Sequence, residues 1–175
     1  MPPSPPDEER DHVDALLAQW EDQRPELDRA TLGLAARVLR LHRVLERHVA
    51  EQLRPLGLHE GEVNVLAALR RAPPPHELTP TALYRSLLRS SGAMTHRLDR
   101  LERAGLVTRR PDPDDGRRVR VRLTATGLRV VDEALDAHTA AMAEVFGALE
   151  EAERHALNEH LKRLLARLER DGAGE

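Results

Sequence analysis

The sequence predicts a mainly α fold that carries one small β-hairpin. Three observations lead there. Apolar residues recur at helical spacing through most of the 175 residues. A single stretch, Val119-Arg-Val-Arg-Leu123, alternates with a period of two, and a turn-forming Pro111-Asp-Pro-Asp-Asp-Gly116 precedes it. The basic residues gather just there, between Arg85 and Arg122.

Residues 1–8 are rich in proline and acid, the composition of a disordered N-terminus. An N-terminal helical region is expected over residues 9–57. Its first helix runs from about Asp11 to Gln23, with Val13, Leu16, Leu17 and Trp20 at helical spacing and Pro25 ending it. Its second covers roughly Leu27 to Gln52, with a stripe of Leu34, Val38, Leu41, Leu45 and Val49; Pro55 and Gly57 stop it.

Residues 58–123 form the central lobe. A short helix spans Glu60 to Arg71, with Val63, Val65, Leu66 and Leu69 apolar, and Ala72-Pro-Pro-Pro75 is a loop. Thr79-Pro80 reads as an N-cap followed by proline at the first helical position, opening a helix to about Leu88. Ser90-Ser91-Gly92 makes a turn and a second cap, and the helix behind it reaches Arg103, closed by Gly105. Leu106 to Arg110 has strand propensity, and the alternating stretch from Val119 supplies the other strand of a charged hairpin. Helix, turn, helix and hairpin in this order make a winged helix-turn-helix.

Thr124 caps a long helix from about Ala125 to Leu149. A last helix covers Glu151 to Leu168, with Leu157, Leu161, Leu164, Leu165 and Leu168 spaced to pack on another helix. Together these are the C-terminal helices, residues 124–170, and residues 171–175 read as a disordered tail. The terminal helices exceed what a winged helix needs to bury its own core. A homodimer that interleaves apolar stripes from two copies accounts for them, and an intramolecular bundle is the alternative.

Charge and composition limit the function. The chain has 27 Lys+Arg against 30 Asp+Glu, a net charge of −3. Eleven arginines and five acids lie from Arg85 to Arg122, a local balance of +6, which leaves the remainder at −9. A basic stretch in an acidic body is the electrostatic footprint of a domain that docks on a phosphate backbone; a solvated surface is the alternative. One Trp, one Tyr and one Phe cannot build a base-stacking platform. With no cysteine, disulfides, thiol catalysis and cysteine-ligated zinc are excluded. No apolar run approaches a membrane span, so no membrane partner and a cytoplasmic location are expected.

Placed on a wheel, residues 91–103 bury Met94, Leu98 and Leu101, and present Gly92, Ala93, His96, Asp99, Arg100 and Arg103 on the other side. A helix with small residues at its N-terminal end approaches base edges closely, so Ala93 is placed at the DNA surface. Ser90, Ser91 and Thr95 are expected on phosphates, with capping as the other reading for Ser91; His96 and Arg100 are expected on bases. Arg103 reads as a solvated or ion-paired residue. Arg117 and Arg118 follow the hairpin turn, where arginine suits a narrow minor groove; an Asp115–Arg117 pair stiffening the turn is compatible with that role.

The run Leu58–Gly127, with ELTPTALYRSLL, SSGAMTHRLDRLERAGLV and RRPDPDDGRRVRVRLTATG, resembles the MarR family of dimeric winged-helix regulators. The family usually shows Asp-Arg-Arg at the wing; here Asp115-Gly116-Arg117-Arg118 stands in its place, and Arg117 matches the wing-tip arginine. The stretch from Trp20 to Asp28 in an additional N-terminal helix resembles the urate-responsive, PecS-like branch. The resemblance implies a ligand pocket in which Trp20 matches the tryptophan, Arg97 and Arg109 the two arginines, and Asn64 replaces the acid. A related branch responds to tricarboxylates, an option that Asn64 keeps open. Read by itself, Arg97 sits at the flank of the buried side, where its guanidinium can clamp an anion or pair with Glu51 or Asp28. Trp20 by itself reads equally as core filling.

The nine histidines lack the one-face i, i+4 spacing of a helical zinc pair: His155 and His160 are five apart, His42 and His48 six. No metal and no cofactor are expected. Glycine-rich phosphate loop, nucleophile elbow and His-Glu-x-x-His are all missing from the sequence, so an enzyme is not expected. The function that follows is a ligand-responsive transcriptional repressor, a homodimer on a pseudo-palindromic double-stranded DNA operator, released by a small anionic effector such as urate or a tricarboxylate. A winged-helix protein-interaction module without DNA binding is the alternative.

Overall fold

Caps and breakers set the helix ends in the computed structural model, which describes residues 10–87, 91–113, 115 and 118–172, with only the backbone described at 91–93 and 172. The chain divides into two compact units, Met1–Arg47 and His48–Glu175.

The first unit holds α1 (His12–Gln23) and most of α2 (Arg29–Leu53). Asp11 is the N-cap of α1: its carboxylate accepts from Val13 N at 2.8 Å and Asp14 N at 3.1 Å, while Asp14 accepts from Asp11 N at 3.0 Å. Arg37 of α2 reaches both acids, at 2.9 Å and 2.6 Å. The hydrogen bond from Arg37 holds the Asp11 carboxyl below its ordinary range. At the other end Arg29 pairs with Glu21. Ion pairs thus clasp α1 to α2 at both ends, and Val13 is buried. Leu16, Trp20, Leu34, Val38 and Leu39 remain exposed, Leu34 at 63%.

In the second unit the last turns of α2 contribute Val49 and Leu53 to one core. α3 (Glu60–Arg71) lies at its centre, with Val65, Leu66 and Leu69 fully buried. After it come β1 (Glu77–Leu78), α4 (Pro80–Leu87), α5 (Ser91–Arg103), β2 (Val107–Pro111), β3 (Val119–Leu123), α6 (Ala125–Phe146) and α7 (Glu151–Gly172). The strands form an antiparallel sheet in the order β1-β3-β2, with Glu77 opposite Arg122 and Arg109 opposite Val121. Gly105, with φ of 70°, lets the chain leave α5 in the left-handed conformation and enter β2. Thr124 caps α6 by accepting from Gly127 N at 2.9 Å.

The fold is mostly helical with a small three-stranded sheet, a winged helix. Several details differ from the sequence reading. β1 was not anticipated, because two residues carry no periodicity. α6 ends at Phe146 rather than Leu149, since Gly147 takes the C-cap. α7 continues through Asp171 and Gly172, residues expected in the tail. In β3 only Val121 and Leu123 are buried; Val119 is exposed. Among the described residues no helix is long and apolar enough to cross a membrane.

Candidate nucleic-acid interface

α5 is held by its apolar side. Met94, Leu98 and Leu101 are buried against the core, while Thr95 and His96 are exposed. The side chains of Ser91 and Ala93, and the whole of Ser90, lie outside the described residues, as does Arg117.

The arginines of this region fall into two groups. Arg100 does not extend into solvent. Its Nε lies 2.7 Å from Glu62 Oε1 and its Nη2 donates to Oε2 at 3.4 Å. Glu62 is buried at 3% exposure in the first turn of α3, and its Oε2 also accepts from His59 N at 2.9 Å. The sequence reading expects Arg100 on bases; in the DNA-free structure its guanidinium is paired with this acid of α3. Arg109 is likewise engaged, with Nη2 2.6 Å from Asp99 and Nη1 3.2 Å from Glu102, while its backbone N–H donates to Glu102 at 3.1 Å. These contacts pin the start of the wing to α5.

Arg97 is different. It is half-buried and has no hydrogen-bond or ion-pair partner among the described residues, so the expected pair with Glu51 or Asp28 is not formed. Its guanidinium rests on Gly61 of α3. A Cβ at that position would lie 2.6 Å from Arg97 Nε and 2.9 Å from Cζ, so the glycine makes the seat possible. Asn64, three residues on and on the same face of α3, is also half-buried and without a partner among the described residues. Asn64 thus shares a face of α3 with Gly61, the seat of Arg97, while Arg109 is held by Asp99 and Glu102. Trp20 belongs to the other unit, on α1, and is 42% exposed.

The wing is braced at its base and open beyond it. The buried Asp112 carboxylate accepts from Arg120 Nε at 2.8 Å, and Arg120 Nη1 donates to Glu77 of β1 at 3.4 Å. Arg118 N donates to Asp115 O at 2.8 Å, and Asp112 N to Arg118 O at 2.9 Å. The Arg118 side chain is 71% exposed, touching Asp115 at 3.2 Å. So the brace at the turn runs to Arg118 among the described residues. Between this base and the start of α4 lies a cleft of about 640 Å³, lined by Thr79, Pro80, Thr81, Arg85, Arg118 and Val119. Thr79 caps α4 by accepting from Ala82 N at 3.1 Å. Arg85 is exposed and unpaired among the described residues.

Sequence reasoning missed Glu62, Asp112 and the Thr81–Arg85 side of this cleft. The signal for Glu62 was an acid directly before the apolar run Val63–Leu69; nothing local marked its distant partner.

A sequence profile of the MarR family matches residues 56–118. The chain is 28% identical over 158 residues to the transcriptional regulator PecS of Dickeya dadantii, covering 90% of this chain and 93% of that protein. It also resembles wild-type apo MarR from E. coli, with 30% identity, a TM-score of 0.65, and coverage of 75% of this chain and 96% of that one. A mutant of the same E. coli protein, crystallised with operator DNA, superposes with a TM-score of 0.67 at 28% identity, over 83% of this chain and 97% of that one.

Proposed function

The chain belongs to the MarR family of transcriptional regulators, and from that premise we propose that it binds a pseudo-palindromic operator as a homodimer and acts as a cytoplasmic repressor. The observation that carries this reading is the joint exposure of Thr95 and His96 on α5 and Arg118 on the wing, with the Thr79–Arg85 cleft between wing and α4. A recognition helix reads the major groove, a wing arginine suits the minor groove, and a cleft lined by hydroxyls and cations suits the phosphate backbone that crosses between them. Ser90, Ser91, Ala93 and Arg117 belong to the same proposed surface. The relative solved with operator DNA supports it.

Homodimerisation is supported by the apolar residues left exposed on both terminal regions. These are Leu34 and Val38 on α2, and Leu161, Leu164, Leu165 and Leu168 on α7. A dimer on a palindrome spaces its two recognition helices by about 34 Å. The test is a mobility shift on duplex DNA from the protein's own promoter region: affinity should fall steeply with salt, as phosphate neutralisation requires. Failure to bind at low salt would refute the reading.

For the effector, the unpaired Arg97 guanidinium, seated on Gly61 on the face of α3 that also carries Asn64, favours a small anion. An amide in place of a carboxylate removes one repulsive charge, which favours a polycarboxylate such as citrate over urate. Thermal-shift titration with each discriminates them, since a ligand of the native state raises Tm. Arg97→Ala should abolish the shift and leave operator affinity within about twofold. Loss of DNA binding with an intact ligand shift would show the assignment to be wrong.

A further inference from the structure

We propose that Arg100 and Glu62 form a positioning pair that sets the rotation of α5 from the flank that meets α3, so that Arg100 serves recognition without touching a base. The proposal rests on the operator-binding reading above. Arg97 and Arg100 are three residues apart and so lie on one side of α5, and both meet the first turn of α3: Arg97 on Gly61, Arg100 on Glu62. Met94, Leu98 and Leu101 fix how deep α5 sits, but apolar packing is non-directional and leaves a helix free to roll by small angles. A two-point contact between a guanidinium edge and a carboxylate is directional. The carboxylate is itself immobile, since it is buried and also accepts from the His59 N–H. Its geometry, 2.7 Å at Nε and 3.4 Å at Nη2, occupies one edge of the guanidinium and fixes the flank of α5 that carries Arg97 and Arg100, one turn from His96.

The test is selection from a randomised duplex library by the wild-type protein and by Glu62→Gln, Arg100→Gln, Arg100→Lys and the double Gln variant, each checked for its Tm. A positioning pair predicts that either single Gln change weakens binding about tenfold for every base pair alike, with the selected consensus unchanged. The double variant should be no weaker than the worse single. Arg100→Lys should recover most of the affinity, because an ammonium also reaches Glu62. Glu62→Gln is close to isosteric, so it answers the question even where Arg100→Gln, which strands a buried carboxylate, fails to fold.

A consensus altered at one base pair by Arg100→Gln, with Glu62→Gln indistinguishable from wild type, would make Arg100 a base reader and overturn the proposal. Amide exchange without DNA separates this failure from failure of the operator reading. Residues 94–103 should exchange faster by the same factor in both single Gln variants even if no duplex is bound. Unchanged exchange in Glu62→Gln would count against the pair directly.

Discussion

The recognition helix and the wing are both rich in arginine, and each divides it between inward-held and exposed residues in a different way. On α5, Arg97 and Arg100 turn inward to α3, and the neighbouring Arg109 is held by Asp99 and Glu102. On the wing, Arg120 secures the base through Asp112, and Arg118 stands 71% exposed with one 3.2 Å contact. A sequence count of cations therefore overstates the charge that α5 presents outward: Arg103 stands exposed there, while Arg97 and Arg100 do not. Guanidiniums paired with acids next to the core are structural; those at an open turn are free to meet phosphate.

The comparison breaks most visibly through the core below α5. Leu101→Ala should cost about 2–5 kcal/mol, as buried leucine truncations do, and lower Tm with loss of all DNA binding. If Leu101→Ala melts like wild type, the helix does not depend on the core in the way described. Next in size is Asp112→Ala. Removing a buried acceptor from Arg120 should cost about 1–3 kcal/mol and loosen the hairpin, seen as faster amide exchange over 107–111 and 119–123 while α5 is unaffected.

Arg118→Ala sharpens the contrast. Its pair with Asp115 is exposed, so Tm should move little, while operator affinity falls and the salt dependence flattens by about one unit of log–log slope. A Tm loss without an affinity loss would reverse the division between the two regions. The smallest effect concerns an arginine both exposed and committed, Arg37. The Asp11 carboxyl it binds is held below its usual 3.8. A depressed acid contributes stability above its unfolded value and loses it as pH falls through the folded one. Helicity of the first unit should therefore decline below about pH 4 in wild type, and Asp11→Asn should show less of that decline on acid titration by circular dichroism.

How much of this was legible beforehand depended on whether the cause was local. α3 and α5 span the residues the sequence placed them over, and Gly105 marks the end of α5 with its positive φ. Burial of Met94, Leu98 and Leu101 followed from the 3.6-residue period. The wheel also placed Arg97 correctly at the flank of the buried side. It did not show the Arg100–Glu62 pair, since a wheel gives the direction of Cα–Cβ and not the reach of a long side chain to a neighbouring helix. Glu62 lies 38 residues from Arg100, and no periodicity links them. β1 was missed for a related reason: a two-residue strand exists only because β3 lies beside it.

Gly61 has a consequence for how this regulator could be altered. Glycine inside a helix is disfavoured relative to alanine by roughly 0.5–1 kcal/mol, so Gly61→Ala stiffens the opening of α3. The same added methyl group would lie 2.6 Å from Arg97 Nε, so the flexible Arg97 side chain has to shift away from it. A single hydrogen-to-methyl replacement there exchanges the present seat of Arg97 for a stiffer helix start.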